Sequence, residues 1–150
     1  MKRIVVATLL ASTLSLGLGA CAGDDDGDSS MVNCDLEDRD DDFLAGMAKV
    51  GAGGTTFTLT SATPSPPGRD DNTWVLDIST ANGPYSGTVT VVPFMPDHRH
   101  GTPIEVVVTP DPNVPGRYSA TPINLWMPAL WEITVRAGSD STVFRFCIPG

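Results

Sequence analysis

Leu130-Trp131-Glu132-Ile133-Thr134-Val135-Arg136, then Ala137-Gly138-Ser139-Asp140, then Thr142-Val143-Phe144-Arg145-Phe146-Cys147-Ile148 is the stretch whose reading decides the fold. Trp131, Ile133 and Val135 alternate with Glu132, Thr134 and Arg136; Phe144, Phe146 and Ile148 alternate with Arg145 and Cys147. A period of two on β-branched and aromatic residues gives each segment one apolar face and one wet face. The small polar residues between them favour a turn. Two half-buried strands in succession need a second apolar layer to cover them.

Working outward, the same pattern predicts strands at Thr56 to Ser61, Thr73 to Ser79, Ser86 to Pro93, Ile104 to Thr109 and Arg117 to Pro122, besides Leu130 to Arg136 and Thr142 to Ile148. Trp74, Leu76 and Ile78 point to the core and Asp77 to solvent. Pro64-Ser65-Pro66-Pro67-Gly68, Asn82-Gly83-Pro84 and Pro110-Asp111-Pro112 separate the strands as turns or loops. Phe43 to Lys49 is read as a helical turn or two, stopped by Gly51, Gly53 and Gly54. Short strands without helices between them imply an all-β fold, an immunoglobulin-like antiparallel β-sandwich of about seven strands.

Upstream of the sandwich the composition changes twice. Met1-Lys2-Arg3 followed by the apolar run Ile4 to Leu18 reads as a secretory signal, too short to span a bilayer as an anchor. Leu18-Gly19-Ala20-Cys21 resembles the lipobox of bacterial lipoproteins, which makes residues 1–20 the signal peptide and Cys21 the lipidated residue. Acyl chains on Cys21 hold such a protein on a membrane surface. Ala22 in the following position resembles the outer-membrane sorting rule, so the expected location is the outer membrane, facing the periplasm. From Asp24 to Asp42 there are ten acidic residues against one basic residue, Arg39. Like charges with few apolar groups repel and do not collapse, so residues 21–42 are expected to form a disordered tether and residues 43–150 the domain. Its carboxylates lack the spacing of an EF-hand loop.

Subtracting the tether changes the meaning of the charge. The whole chain has 9 basic and 18 acidic residues, but Phe43 to Gly150 has 6 and 8, a net of −2. A nearly neutral domain offers no basic surface to nucleic acid. With Cys21 assigned to the lipid, Cys34 and Cys147 remain, and in an oxidising compartment they pair most simply with each other. Two thiolate metal ligands is the rival reading, but the spacing matches no zinc pattern.

Chemistry concentrates in Met95-Pro96-Asp97-His98-Arg99-His100-Gly101, which holds both histidines of the chain. No Gly-x-Ser-x-Gly elbow, activated cysteine or phosphate loop accompanies it, which argues against an enzyme. Imidazole and thioether together suit copper. Solvated histidines and gap-filling methionines are the plainer alternative for the same residues.

Three ordered motifs carry a resemblance: Met95-Pro96-x-His98-x-His100-Gly101, then Gly116-Arg117-Tyr118, then Met127-Pro128-Ala129-Leu130-Trp131-Glu132 leading into a Val-containing strand. The region from Trp74 to Arg136 resembles the YtkA-like domain, a family related to the FixH group. Ala129 departs from it, since the family usually has glycine after the second Met-Pro. The resemblance implies an extracytoplasmic β-sandwich, often membrane-anchored, that handles copper or serves assembly of copper-containing respiratory enzymes. Carried over by position, Met95, His98, His100 and Met127 are the expected ligands, with Cu(I) the favoured ion, and a copper enzyme or another envelope protein is the expected partner. Asp97 is expected to orient a histidine and Trp126 to shield the site, each with solvation or core packing as its ordinary role.

Overall fold

The computed structural model describes residues 32–150. The expected signal segment 1–20, the expected lipidation residue Cys21 and the acidic stretch as far as residue 31 lie outside the described residues. In chain order the strands are β1 (Met47–Val50), β2 (Thr56–Thr63), β3 (Asp70–Thr80), β4 (Gly83–Pro84), β5 (Val89–Met95), β6 (His100–Gly101), β7 (Val107–Pro110), β8 (Arg117–Leu125), β9 (Ala129–Ala137) and β10 (Asp140–Ile148). One sheet runs β1-β2-β3-β8-β7, with β4 added on β3; the other runs β10-β9-β5-β6. All pairings are antiparallel. With β1 and β4 set aside, β2-β3-β8-β7 facing β10-β9-β5-β6 is the A-B-E-D against G-F-C arrangement of an immunoglobulin-like sandwich with an added C′ strand.

Each of the seven expected strands has its counterpart, with shifted ends. The third begins later, at Val89, and runs on to Met95; the fourth contracts to Val107–Pro110. The β9–β10 hairpin turns on two residues, Gly138 and Ser139, with Gly138 at φ 61°. A positive φ at the first of two loop residues matches the right-handed twist of the flanking strands, which is why glycine stands there. The Phe43 to Lys49 expectation is corrected: no helix forms, and Met47–Val50 is a strand paired with β2. Gly46, at φ 85°, takes a left-handed conformation that breaks a helical turn, and its N–H donates to the Leu59 carbonyl.

Between the sheets the inward rows interlock. Trp74, Leu76 and Ile78 of β3 are buried against Trp131, Ile133 and Val135 of β9 and Phe144, Phe146 and Ile148 of β10. The Trp74 ring stands edge-on to Phe144 at 6.0 Å and to Phe146 at 5.6 Å. Antibody domains join their two central strands by a disulfide; here β3 and β9 carry Trp74 and Trp131 instead.

The disulfide lies outside the core. Cys34 and Cys147 are bonded, with Cα atoms 5.5 Å apart and a sequence separation of 113. That corrects the reach of the tether, because the acidic stretch is not free as far as residue 42. The Asp41 N–H donates to the Arg145 carbonyl at 2.8 Å, and its carboxylate accepts the Arg145 N–H at 2.7 Å. Lys49 holds the same carboxylate and also donates to the Val143 carbonyl at 2.8 Å. The physical reason is that β10 is an edge strand with backbone groups left to satisfy, and Asp41 satisfies them as a neighbouring strand would.

At the opposite end of β10, Asp140 is buried against the glycine loop before β2. Its carboxylate accepts the N–H groups of Thr55 at 2.9 Å and Ser141 at 2.9 Å. A Cβ on Gly51 would lie 2.3 Å from that carboxylate, so a side chain there would displace Asp140 from its place against the loop. Hydrogen bonds from the Gly53 and Thr55 backbone hold the Asp140 carboxyl below its ordinary pKa. A depressed pKa stabilises the fold above the unfolded value of about 3.9 and loses that contribution as pH falls through the folded value. Asp140→Asn should therefore lower Tm at pH 7, with the gap to wild type closing as thermal scans are taken from pH 5 down to pH 2. Replacing Cys34 and Cys147 together by serine should cost about 2–5 kcal/mol in urea unfolding.

Candidate functional site

Three loops meet at one end of the sandwich: Pro64–Arg69 between β2 and β3, Pro96–Arg99 between β5 and β6, and Trp126–Pro128 between β8 and β9. The middle loop is a tight hairpin turn closed by the Arg99 N–H donating to the Met95 carbonyl at 2.8 Å. Arg99 itself adopts φ 56°, a left-handed conformation uncommon outside glycine. In β6, His100 stands directly opposite Met95 of β5. Opposed residues of an antiparallel pair project from the same face of their sheet. Met95 belongs to the inward row with Val89, Val91 and Pro93, so His100 faces the inter-sheet side, at the open end.

There it meets Trp126. The His100 ring lies stacked on the indole, centroids 6.1 Å apart and planes 30° from parallel, and the His98 ring stands edge-on to His100 at 5.9 Å. Both histidines are exposed. The His100 Nδ1 lies 3.1 Å from the Gly101 carbonyl. A carbonyl only accepts, so this hydrogen bond requires a proton on Nδ1, which leaves the Nε2 lone pair of the neutral ring free. A histidine held this way by its second nitrogen is in the state in which histidines bind metals.

His98 is in the turn and His100 in the short strand that follows, and the two rings approach because the turn folds back. The expected four ligands are also not gathered on one surface. Met95 is fully buried among core residues, because strand alternation directs it inward. Met127 is half-buried and packs against the core, and its carbonyl accepts the Trp131 Nε1–H at 3.0 Å. Trp126 remains 39% exposed, which leaves its face open beside His100. Cys34 and Cys147 are bonded to each other and offer no thiolate.

Asp97 pairs with Arg39, whose guanidinium donates to both carboxylate oxygens at 2.9 and 2.8 Å; the expectation that it orients a histidine is corrected, since its side-chain hydrogen bonds go to Arg39. This fork, more than the neighbouring His98, holds the Asp97 carboxyl below its ordinary pKa. Arg39 was visible in the sequence only as the single basic residue of an acidic run. Two further contacts carried no sequence signal. Asn72, buried, donates to the Gly68 and Asp70 carbonyls and accepts the Gly68 N–H, which shapes the proline-rich loop. That loop presents Arg69, whose Nε donates to the Trp126 carbonyl at 3.1 Å.

Among the described residues no group of three or more His, Cys, Asp and Glu side chains is arranged to hold a metal ion. The donors exposed together at this end are therefore the two imidazoles, with the neighbouring Asp97 carboxylate taken up by Arg39. Imidazole donors suit copper and similar transition ions better than magnesium or calcium. The packing roles separate the four residues. Met95→Ala should destabilise the fold by about 2–5 kcal/mol, as for other buried methionines, whereas His98→Ala should stay within about 0.5 kcal/mol; equilibrium urea unfolding checks both.

No family model, curated protein or solved structure matches the chain.

Proposed function

We propose that the protein is a copper-binding accessory protein of the bacterial cell envelope, YtkA-like in character and held to the outer membrane by a lipid on Cys21. It binds a copper ion at the loop end of the sandwich and buffers it or passes it to a partner, such as a copper respiratory enzyme under assembly. The observation that carries this reading is the pair of exposed imidazoles 5.9 Å apart, one of them oriented through its Nδ1. His98 and His100 are the primary ligands in this proposal. Met127, at the base of the same loop cluster, supplies a thioether, which favours Cu(I). Met95 contributes only if the hairpin end opens, since its side chain is part of the core. The Trp126 face beside His100 would limit access of water to the ion. No bond-making step is assigned to the site.

A second reading has its own observation. Trp126 and His100 form an exposed, stacked aromatic surface, and such surfaces anchor protein partners as readily as they shield metals. Under it the domain is an immunoglobulin-like interaction module that meets another envelope protein through this end.

Titration of the domain with Cu(I) against a competing chelator separates the two. The copper reading expects one ion per chain, with affinity reduced at least about tenfold in His98→Ala and His100→Ala and less in Met127→Ala. Equal weak binding by all variants and the wild type, together with a crosslinked envelope partner that survives removal of both histidines, would leave the interaction module standing.

A further inference from the structure

We infer that Cys34 to Asp42 is a strap that positions the histidine loop, with Arg39 as its positioning residue. This inference deepens the copper reading and rests on it for its consequence, although the strap itself is a matter of geometry.

The segment is held at both ends. At one end Cys34 is bonded to Cys147 of β10, and at the other Asp41 pairs with the β10 edge at Arg145 and with Lys49. Between these points Arg39 projects across to the β5–β6 turn. Its Nε and one terminal nitrogen donate to Glu37 at 2.7 Å each, while its two terminal nitrogens donate to the Asp97 oxygens at 2.9 and 2.8 Å. The guanidinium is thus clamped by a carboxylate of its own segment and offers its remaining edge to the loop. Bidentate geometry fixes direction as well as distance, which a lysine would not do.

The position of Asp97 gives the clamp its effect. It immediately precedes His98 inside the four-residue turn Pro96–Arg99, whose only backbone closure within the turn is the Arg99 N–H to the Met95 carbonyl. Arg99 sits in the left-handed region, so the turn holds a conformation that an unsupported non-glycine residue leaves easily. Fixing Asp97 from outside therefore restricts the one residue between Pro96 and His98.

Amide hydrogen exchange on the whole domain tests the strap, with and without copper. In Arg39→Gln the Arg99 amide should exchange about two- to fivefold faster, the effect expected of an exposed but well-formed ion-pair network. The amides of β9 and β10 should be unchanged, and Arg39→Lys should restore less than half of the difference. Cu(I) affinity against a chelator should fall by a similar factor. The Cys34→Ser/Cys147→Ser variant should reproduce the local effect; if it does not fold, Arg39→Gln decides alone. An Arg99 exchange rate within experimental error of wild type in Arg39→Gln would overturn the strap. If wild type binds no copper, the copper reading fails, while the exchange result still decides the strap.

Discussion

Trp74 projects from the middle of β3 into the space between the sheets and meets Phe144 and Phe146 edge-on, and the packing of the two layers follows from that contact. An indole so placed buries a large apolar area and leaves little freedom to slide, since both neighbouring rings present their edges or faces at fixed angles. A one-residue slip of β10 would turn Arg145 and Cys147 inward and lose the contact altogether. Its Nε1–H has no acceptor among the described residues, a cost of roughly 1–3 kcal/mol that the burial of the ring must exceed.

Once the layers are fixed, the immunoglobulin-like strand order decides which loops share an end. The connections β2–β3, β5–β6 and β8–β9 leave the sandwich together, and so the histidine turn, Trp126 with Met127, and Arg69 come within reach although they are separated in sequence. The rest is local. Met95 is directed inward by alternation and His100 follows it as the opposed residue, which delivers one imidazole onto Trp126. The same alternation removes Met95 from the surface, so the geometry that assembles the imidazole and indole also retires one expected ligand into the core.

The acidic stretch shows how a few specific contacts can reverse the reading of a segment. Its composition is that of a solvated chain, and like-charge repulsion alone would keep it off the domain. Three features override that: a covalent bond at Cys34, a guanidinium at position 39 that two carboxylates share, and an edge strand whose backbone groups Asp41 satisfies. Two of the carboxylates that repel each other in isolation, Glu37 and Asp41, are here paired with the cations Arg39 and Lys49.

Strand existence and facing were legible in the sequence because alternation is a local property: Trp131, Ile133 and Val135, or Phe144, Phe146 and Ile148, need only their own neighbours to declare a face. The outward direction of Cys147, and with it a staple outside the core, followed from the same period. The short strand Met47–Val50 was not legible, since four residues are too few to show a period and Phe43 to Met47 suits a helical turn equally well. For the site, the sequence by itself located the histidines between the third and fourth expected strands and singled out Trp126 and Met127. Only the tertiary structure decided that His100 stacks on Trp126, that Met95 is buried and that Asp97 belongs to Arg39, because those contacts depend on which loops leave the same end of the sandwich and on which face a strand residue takes, and long-range pairing sets both.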